Sequence, residues 1–166
     1  MVINITVIYI TIIRRDYIMI CASDFILNIH RITKLHESML KTVCEEYGLT
    51  LIEAKVISFL HNNPGKDTAA DISELRLLKK SNVSLAVEIL FQKSMLDRKQ
   101  DKTDRRKIHL SLTPKAAPVV RSIDSLWEKF QKEIFMGISE NELKSFKSVN
   151  DKIQKNIIRI IGKDDK

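Results

Sequence analysis

The chain has 166 residues, 44% hydrophobic and 30% charged, with only four glycines and three prolines. That composition supports one folded, helix-leaning domain and excludes a disordered or linker-rich chain. A formal net charge of +7 favours an anionic partner. The two cysteines, Cys21 and Cys44, form no metal-type pair and suit reduced thiols in a cytoplasmic protein.

The opening stretch "MVINITVIYITII" is apolar and β-branched, then stops at Arg14-Arg15-Asp16. It is too short for a membrane-spanning helix and lacks the pattern of a secretory signal. Residues 1–18 therefore read as an N-terminal apolar arm of unknown role, with Met19 the start of a more conventional pattern.

From Ser23, an available N-cap, helical spacing sets in over about 23–47: Phe25, Ile29, Ile32, Leu35, Met39 and Val43 fall at three- and four-residue steps. Gly48 ends that helix. Thr50 with Glu53 is a capping-box signature for a second helix through about Leu60, and Asn62-Asn-Pro-Gly65 breaks the chain. Thr68 and Asp71 open a short third helix, "AADISELRL". After a tight turn comes a fourth, "SNVSLAVEILFQK", whose inward face is Val83, Ala86, Val87 and Leu90. Two short helices joined this way predict a helix-turn-helix.

The next segment concentrates charge. From Lys93 to Lys107 seven basic residues (Lys93, Arg98, Lys99, Lys102, Arg105, Arg106, Lys107) face three aspartates (Asp97, Asp101, Asp104). The alternating Ile108-His109-Leu110-Ser111-Leu112 follows at once, so the pattern predicts two strands around a charged loop. Thr113-Pro114 pairs an N-cap threonine with a proline at the first helical position. Two helices complete the chain over about 114–161. Ile123, Leu126, Trp127, Phe130, Ile134 and Phe135 stripe the first. Leu143, Phe146, Val149, Ile153, Ile157 and Ile160 stripe the second, behind a Ser139–Glu142 capping box. Residues 162–166 are a tail.

The fold class that follows is mainly α with a small β-hairpin wing: a winged helix-turn-helix over about 50–112, flanked by long helices, in a single domain of residues 19–161. A recognition helix reads base edges in the major groove with its N-terminal half. Here that half holds Lys79, Lys80, Ser81, Asn82, Ser84 and Leu85. Asn82 could pair with adenine, the serines with bases or phosphates, and the lysines with phosphates. Taken alone, Ser81 and Asn82 more often cap and solvate a surface helix. A basic hairpin directly behind the helix-turn-helix tips the balance. Lys102, Arg105, Arg106 and Lys107 would project beyond the body, and arginine suits the narrow minor groove. Asp104 suits bracing an arginine or the turn.

The segment "DKTDRRKIHLSLTPKA" resembles the wing motif of the MarR family of transcriptional regulators, D-x-x-D-R-R with an L-x-L-T-x-K strand end, and the resemblance runs from about Cys21 to Ile161. It implies that Arg106 enters the minor groove, with Asp104 its structural partner, and that Lys80 to Leu85 read the major groove; Arg98, from the same basic run, is counted among the DNA contacts as well. It implies a homodimer built from the first and last helices, a pseudo-palindromic double-stranded operator, and release by a small-molecule effector, most often from repression. Ser94 and Ala116 stand where the family commonly has glycine, Leu85 where many members carry a basic residue, and Lys79 where a small capping residue is usual. Cys21 lies roughly where an oxidation-sensing branch keeps its reactive thiol, but no activating neighbour marks it in the sequence. Cys44 reads as core packing.

His30, His36, His61 and His109 show no helical ligand pair, so no metal is expected, and no cofactor. His109 reads as an exposed strand residue. No phosphate loop, nucleophile elbow or HExxH supports an enzyme. The alternatives are thiol-oxidation sensing through Cys21, and a winged-helix protein-interaction module without specific DNA binding.

Overall fold

In the computed structural model the described residues are 22–164. The N-terminal arm and Cys21 lie outside them. The elements in chain order are α1 (Ala22–Tyr47), α2 (Leu51–Asn62), α3 (Ala69–Arg76), α4 (Lys80–Gln92), β1 (Leu96–Gln100), β2 (Ile108–Leu112), a single 3-10 turn (Pro114–Ala116), α5 (Ala117–Ile134) and α6 (Glu140–Asp164). The chain divides into two compact units between Met39 and Leu40. The described part of the first is the N-terminal stretch of α1, where Phe25, Ile29, Ile32 and Leu35 are all exposed. Ser23 lies inside α1 rather than at its cap, because Ala22 is already helical.

The second unit holds the core. Leu40, Val43, Ala54, Val56, Ile57, Phe59, Ile72, Val83, Leu90, Leu96, Val119 and Ile123 are almost entirely shielded from water. α2 packs against α4, α5 and β2, and α3 against α4. The helix starts close as capping boxes: Thr50 and Glu53 exchange side chain and backbone at 3.3 and 3.4 Å, and Thr68 and Asp71 do so at 3.1 Å each. Each satisfies two backbone N–H groups that a helix start leaves without partners. Ser139 and Glu142 cap α6 in the same way.

The turn between α3 and α4 is only three residues long. Leu77 enters it at φ +52°, Leu78 N–H donates to the Ser73 carbonyl (3.0 Å), and the buried Ser73 hydroxyl donates to the Leu78 carbonyl (2.6 Å). This closes the C-terminus of α3 and turns the chain into α4.

β1 and β2 pair antiparallel, from Leu96 opposite Leu112 to Gln100 opposite Ile108. Leu96 and Leu110 point into the core, and the alternating partners face out. Thr113 departs from the sequence reading. The proline turn behind it is 3-10 and α5 starts only at Ala117, so Thr113 caps no α-helix; its hydroxyl donates to the Ser94 carbonyl (2.7 Å) and closes the base of the hairpin.

Candidate nucleic-acid interface

At 100° per residue, the buried Val83, Ala86, Val87 and Leu90 fix which side of α4 faces the core. The opposite side in the first two turns carries Ser81 and Leu85 at its centre, flanked by Asn82 and Ser84, and all four are exposed. Lys79 occupies the N-cap position and makes no side-chain cap bond. Ser81, at the second helical position, is therefore not a capping residue. The first turn of α4 holds no acidic residue, so its N–H groups and the exposed Lys79 and Lys80 make a positive end.

Further along that side stands the carboxylate of Glu88. It is neutralised from the hairpin. Arg98 Nη2 donates to Glu88 Oε2 at 2.7 Å, and its guanidinium lies over the Phe91 ring, 4.6 Å from the centroid. Arg98 and then Gln92 hold the Glu88 carboxyl below its ordinary range. The sequence reading counts Arg98 among the DNA contacts; the structure sets it as a strut between β1 and α4.

The C-terminal end of α4 is anchored by a second ion pair. Lys93 Nζ donates to Glu53 Oε2 and to the Gly48 carbonyl, both at 2.8 Å. Glu53 is only 1% exposed. α4 is thus tied at its far end to the start of α2, across 40 residues of sequence.

The wing tip is organised by Asp101. Its Oδ1 accepts from the Thr103 N–H (2.7 Å), the Thr103 hydroxyl (2.7 Å) and the Asp104 N–H (2.8 Å). These bonds, with the Asp104 N–H first and then His109, hold the Asp101 carboxyl far below its usual range. Asp104 plays the lesser part: its Oδ1 accepts the Arg106 N–H at 3.0 Å, and the Arg106 Nε is 4.0 Å away. The Arg106 side chain is 98% exposed, and Lys102, Arg105 and Lys107 are exposed beside it.

His109 departs most from its sequence reading. It is half-buried, with Nδ1 2.8 Å from Asp67 Oδ1 and Nε2 2.9 Å from Asp101 Oδ2. The next residue reinforces the junction, Leu110 N–H donating to the Asp67 carbonyl at 2.8 Å. The wing is therefore tied to the loop before α3. Nothing in the local alternation reveals this, because Asp67 is 42 residues away. Among the described residues no group of His, Cys, Asp or Glu is arranged to hold a metal ion.

A second feature lies between α2, α3 and α5. An open cleft of about 500 Å³ is lined by Asn62, Arg76, Asp124, Trp127, Glu128 and Gln131. Arg76 is partly buried over the Phe59 ring (5.7 Å), and His61 meets Asp124 across the cleft's edge at 3.2 Å. Cys44 is buried, and burial followed by Glu53 pushes its thiol's pKa up, which keeps it protonated and unreactive. No helix among the described residues is long and apolar enough to cross a membrane.

A short helix pair joined by a three-residue turn, then an antiparallel hairpin with a cationic tip, defines a winged helix-turn-helix protein. Residues 47–107 match the model of the MarR family. Solved structures extend the likeness of fold beyond that segment. A MarR-family transcriptional regulator from Silicibacter pomeroyi superposes with a TM-score of 0.69 at 21% identity, covering 82% of this chain and 90% of its own. Staphylococcus aureus MarR, solved with salicylate and kanamycin, gives 0.67 at 16% identity, covering 83% and 93%. Bordetella bronchiseptica BpsR, whose DNA binding is regulated by 6-hydroxynicotinic acid, gives 0.61 at 20%, covering 79% and 98%. The matched segment runs from the end of α1 through the helix-turn-helix to the wing tip, and the fold is one these regulators share.

Proposed function

We propose that the protein is a sequence-specific double-stranded DNA-binding regulator, acting in the cytoplasm as a homodimer and repressing until an effector binds. The observation that carries this reading is the shared exposure of two surfaces. One is the outward side of α4, with Ser81, Asn82, Ser84 and Leu85. The other is the wing tip, with Lys102, Arg105, Arg106 and Lys107. The first suits base edges in a major groove, where Leu85 would meet a thymine methyl, and the second suits the adjacent minor groove. Thirteen α4 residues and a five-residue strand pair reach no farther than one half-site. A second subunit would supply the other half-site, about 34 Å away.

Dimerisation through α1 and α6 is favoured by their uncovered apolar side chains, among them Phe25, Ile29, Phe146, Val149, Ile157 and Ile161. The winged helix-turn-helix with its flanking helices, residues 19–161, would then work as one domain per subunit. The effector would enter the cleft between α2, α3 and α5, where Arg76 and Trp127 offer a cation and an aromatic face. Of the molecules named with two of the similar structures, salicylate and 6-hydroxynicotinic acid are aromatic carboxylates, and kanamycin is not. An acid of that class fits the same chemistry here.

Selection from a random duplex pool tests the proposal. The expected result is enrichment of two inverted half-sites whose centres lie about one helical turn apart. A pool that shows no enrichment, bound as weakly as competitor DNA, would instead favour a winged-helix protein-interaction module.

A further inference from the structure

The bond pattern around His109 has a chemical requirement. Both ring nitrogens face carboxylate oxygens, Asp67 Oδ1 at 2.8 Å and Asp101 Oδ2 at 2.9 Å. An ionised carboxylate only accepts hydrogen bonds, whereas a neutral imidazole carries one N–H and one lone pair. The neutral ring would thus set a lone pair against an anionic oxygen at contact distance. Only the imidazolium can donate to both.

We infer that His109, as an imidazolium, is the positioning residue of the wing, joining the tip through Asp101 to the loop before α3 through Asp67, so that its deprotonation loosens the presentation of Arg105, Arg106 and Lys107 to DNA. The inference rests on the DNA-binding reading above. Asp101 is the acceptor for both Thr103 groups and the Asp104 N–H, so whatever holds its second oxygen holds the whole tip. The Arg106 N–H is fixed one step further on, by Asp104. His109 acts on the exposed cations of the tip through this loop.

The charges around the imidazole favour the proton. Asp101 and then Asp67 raise its pKa above the ordinary histidine value of 6.5. On the α3 side stand Lys66 and Asp71, 3.9 Å apart. Lys99 is its partner in the strand register, and Lys107 follows the tip. What opposes the two aspartates is the ring's partial desolvation. Because the pKa is raised in the folded wing, the contribution is complete below about pH 6.5 and is lost as pH rises through the higher folded value. Asp101, shifted in the other direction, stays ionised throughout that window.

Two measurements on the full chain test this. Nuclear magnetic resonance of the DNA-free protein follows the His109 ring, assigned by its absence in His109→Gln, and the Thr103, Asp104 and Arg106 amides. Anisotropy with the selected duplex follows affinity from about pH 6 to about pH 8.5 at fixed ionic strength. We expect the ring to titrate above 6.5, the three amides to share its midpoint, and affinity to fall roughly two- to fivefold over that range. His109→Gln should bind with a flat pH profile. Asp67→Asn, which keeps the fold but removes one anion, should move ring, amides and affinity together to a lower midpoint. Amides that ignore the ring's titration would overturn the inference, as would a His109→Gln profile that keeps the wild-type fall. If no duplex is bound at any pH, the regulator reading fails while the amides still decide whether His109 orders the wing.

Discussion

The anchor of α4 can be removed with one substitution. Lys93→Met keeps most of the aliphatic stem but takes away the ammonium that donates to Glu53 and Gly48. The Glu53 carboxylate, 1% exposed, then retains only the Thr50 N–H, at a long 3.4 Å. At 2.8 Å the pair attracts with a gross energy of about 6 kcal/mol for an effective dielectric of about 20, most of which offsets the desolvation of both ions. Deleting one partner of a buried pair removes the attraction and leaves the desolvation, a loss of about 3–5 kcal/mol. The Lys93 side chain is 34% exposed, so water can reach the vacated position and the loss should fall near about 2–3 kcal/mol. With a urea m-value of about 1–2 kcal/mol/M, the unfolding midpoint drops by about 1–3 M at fixed protein concentration. Glu53→Gln placed in the Lys93→Met background should recover at least half, since it removes the stranded charge. A Lys93→Met midpoint within about 0.3 M of wild type would refute the reasoning. So would a double variant less stable than the single one.

Two further substitutions separate roles that the sequence alone conflates. Arg98→Met should weaken DNA binding several-fold by releasing the Glu88 carboxylate toward the duplex, while leaving the slope of log affinity against log salt unchanged within about 0.5. Glu88→Gln in that background should restore affinity; a slope change near 0.9 would instead show Arg98 on a phosphate. Ser94 sits at φ +56°, in the left-handed region that costs a side chain about 1 kcal/mol. Ser94→Gly should stabilise by about that amount in thermal or urea unfolding, because Thr113 bonds only the backbone carbonyl there.

How far the fold can be read from the sequence follows a physical division. Helices announce themselves through spacing over a few turns, and capping boxes through residues three apart. The forecast elements are present, with α4 and the hairpin in register. The family resemblance also marks Ser94 as a departure from glycine, and the positive φ explains why glycine is usual at that position. Ala116 shows no such need, being in ordinary right-handed backbone. The supports of the interface are not legible. Lys93 reaches Glu53, and His109 reaches Asp67, across 40 and 42 residues. Arg98 meets Glu88 only because the hairpin folds back over α4. In the sequence each is one more charge in a basic run. Only the fold separates cations that hold the wing from cations left exposed.

Whether those remaining cations touch DNA decides the proposed function. The most direct measurement is fluorescence anisotropy over a salt series, with a duplex from upstream of the protein's own gene, a scrambled duplex, and Arg106→Ala alongside. If they do, the upstream duplex binds more tightly and log affinity falls linearly with log salt. The Arg106→Ala slope is then shallower by about 0.9 for each phosphate that the arginine neutralises. Equal, weak binding of both duplexes with an unchanged Arg106→Ala slope would contradict it.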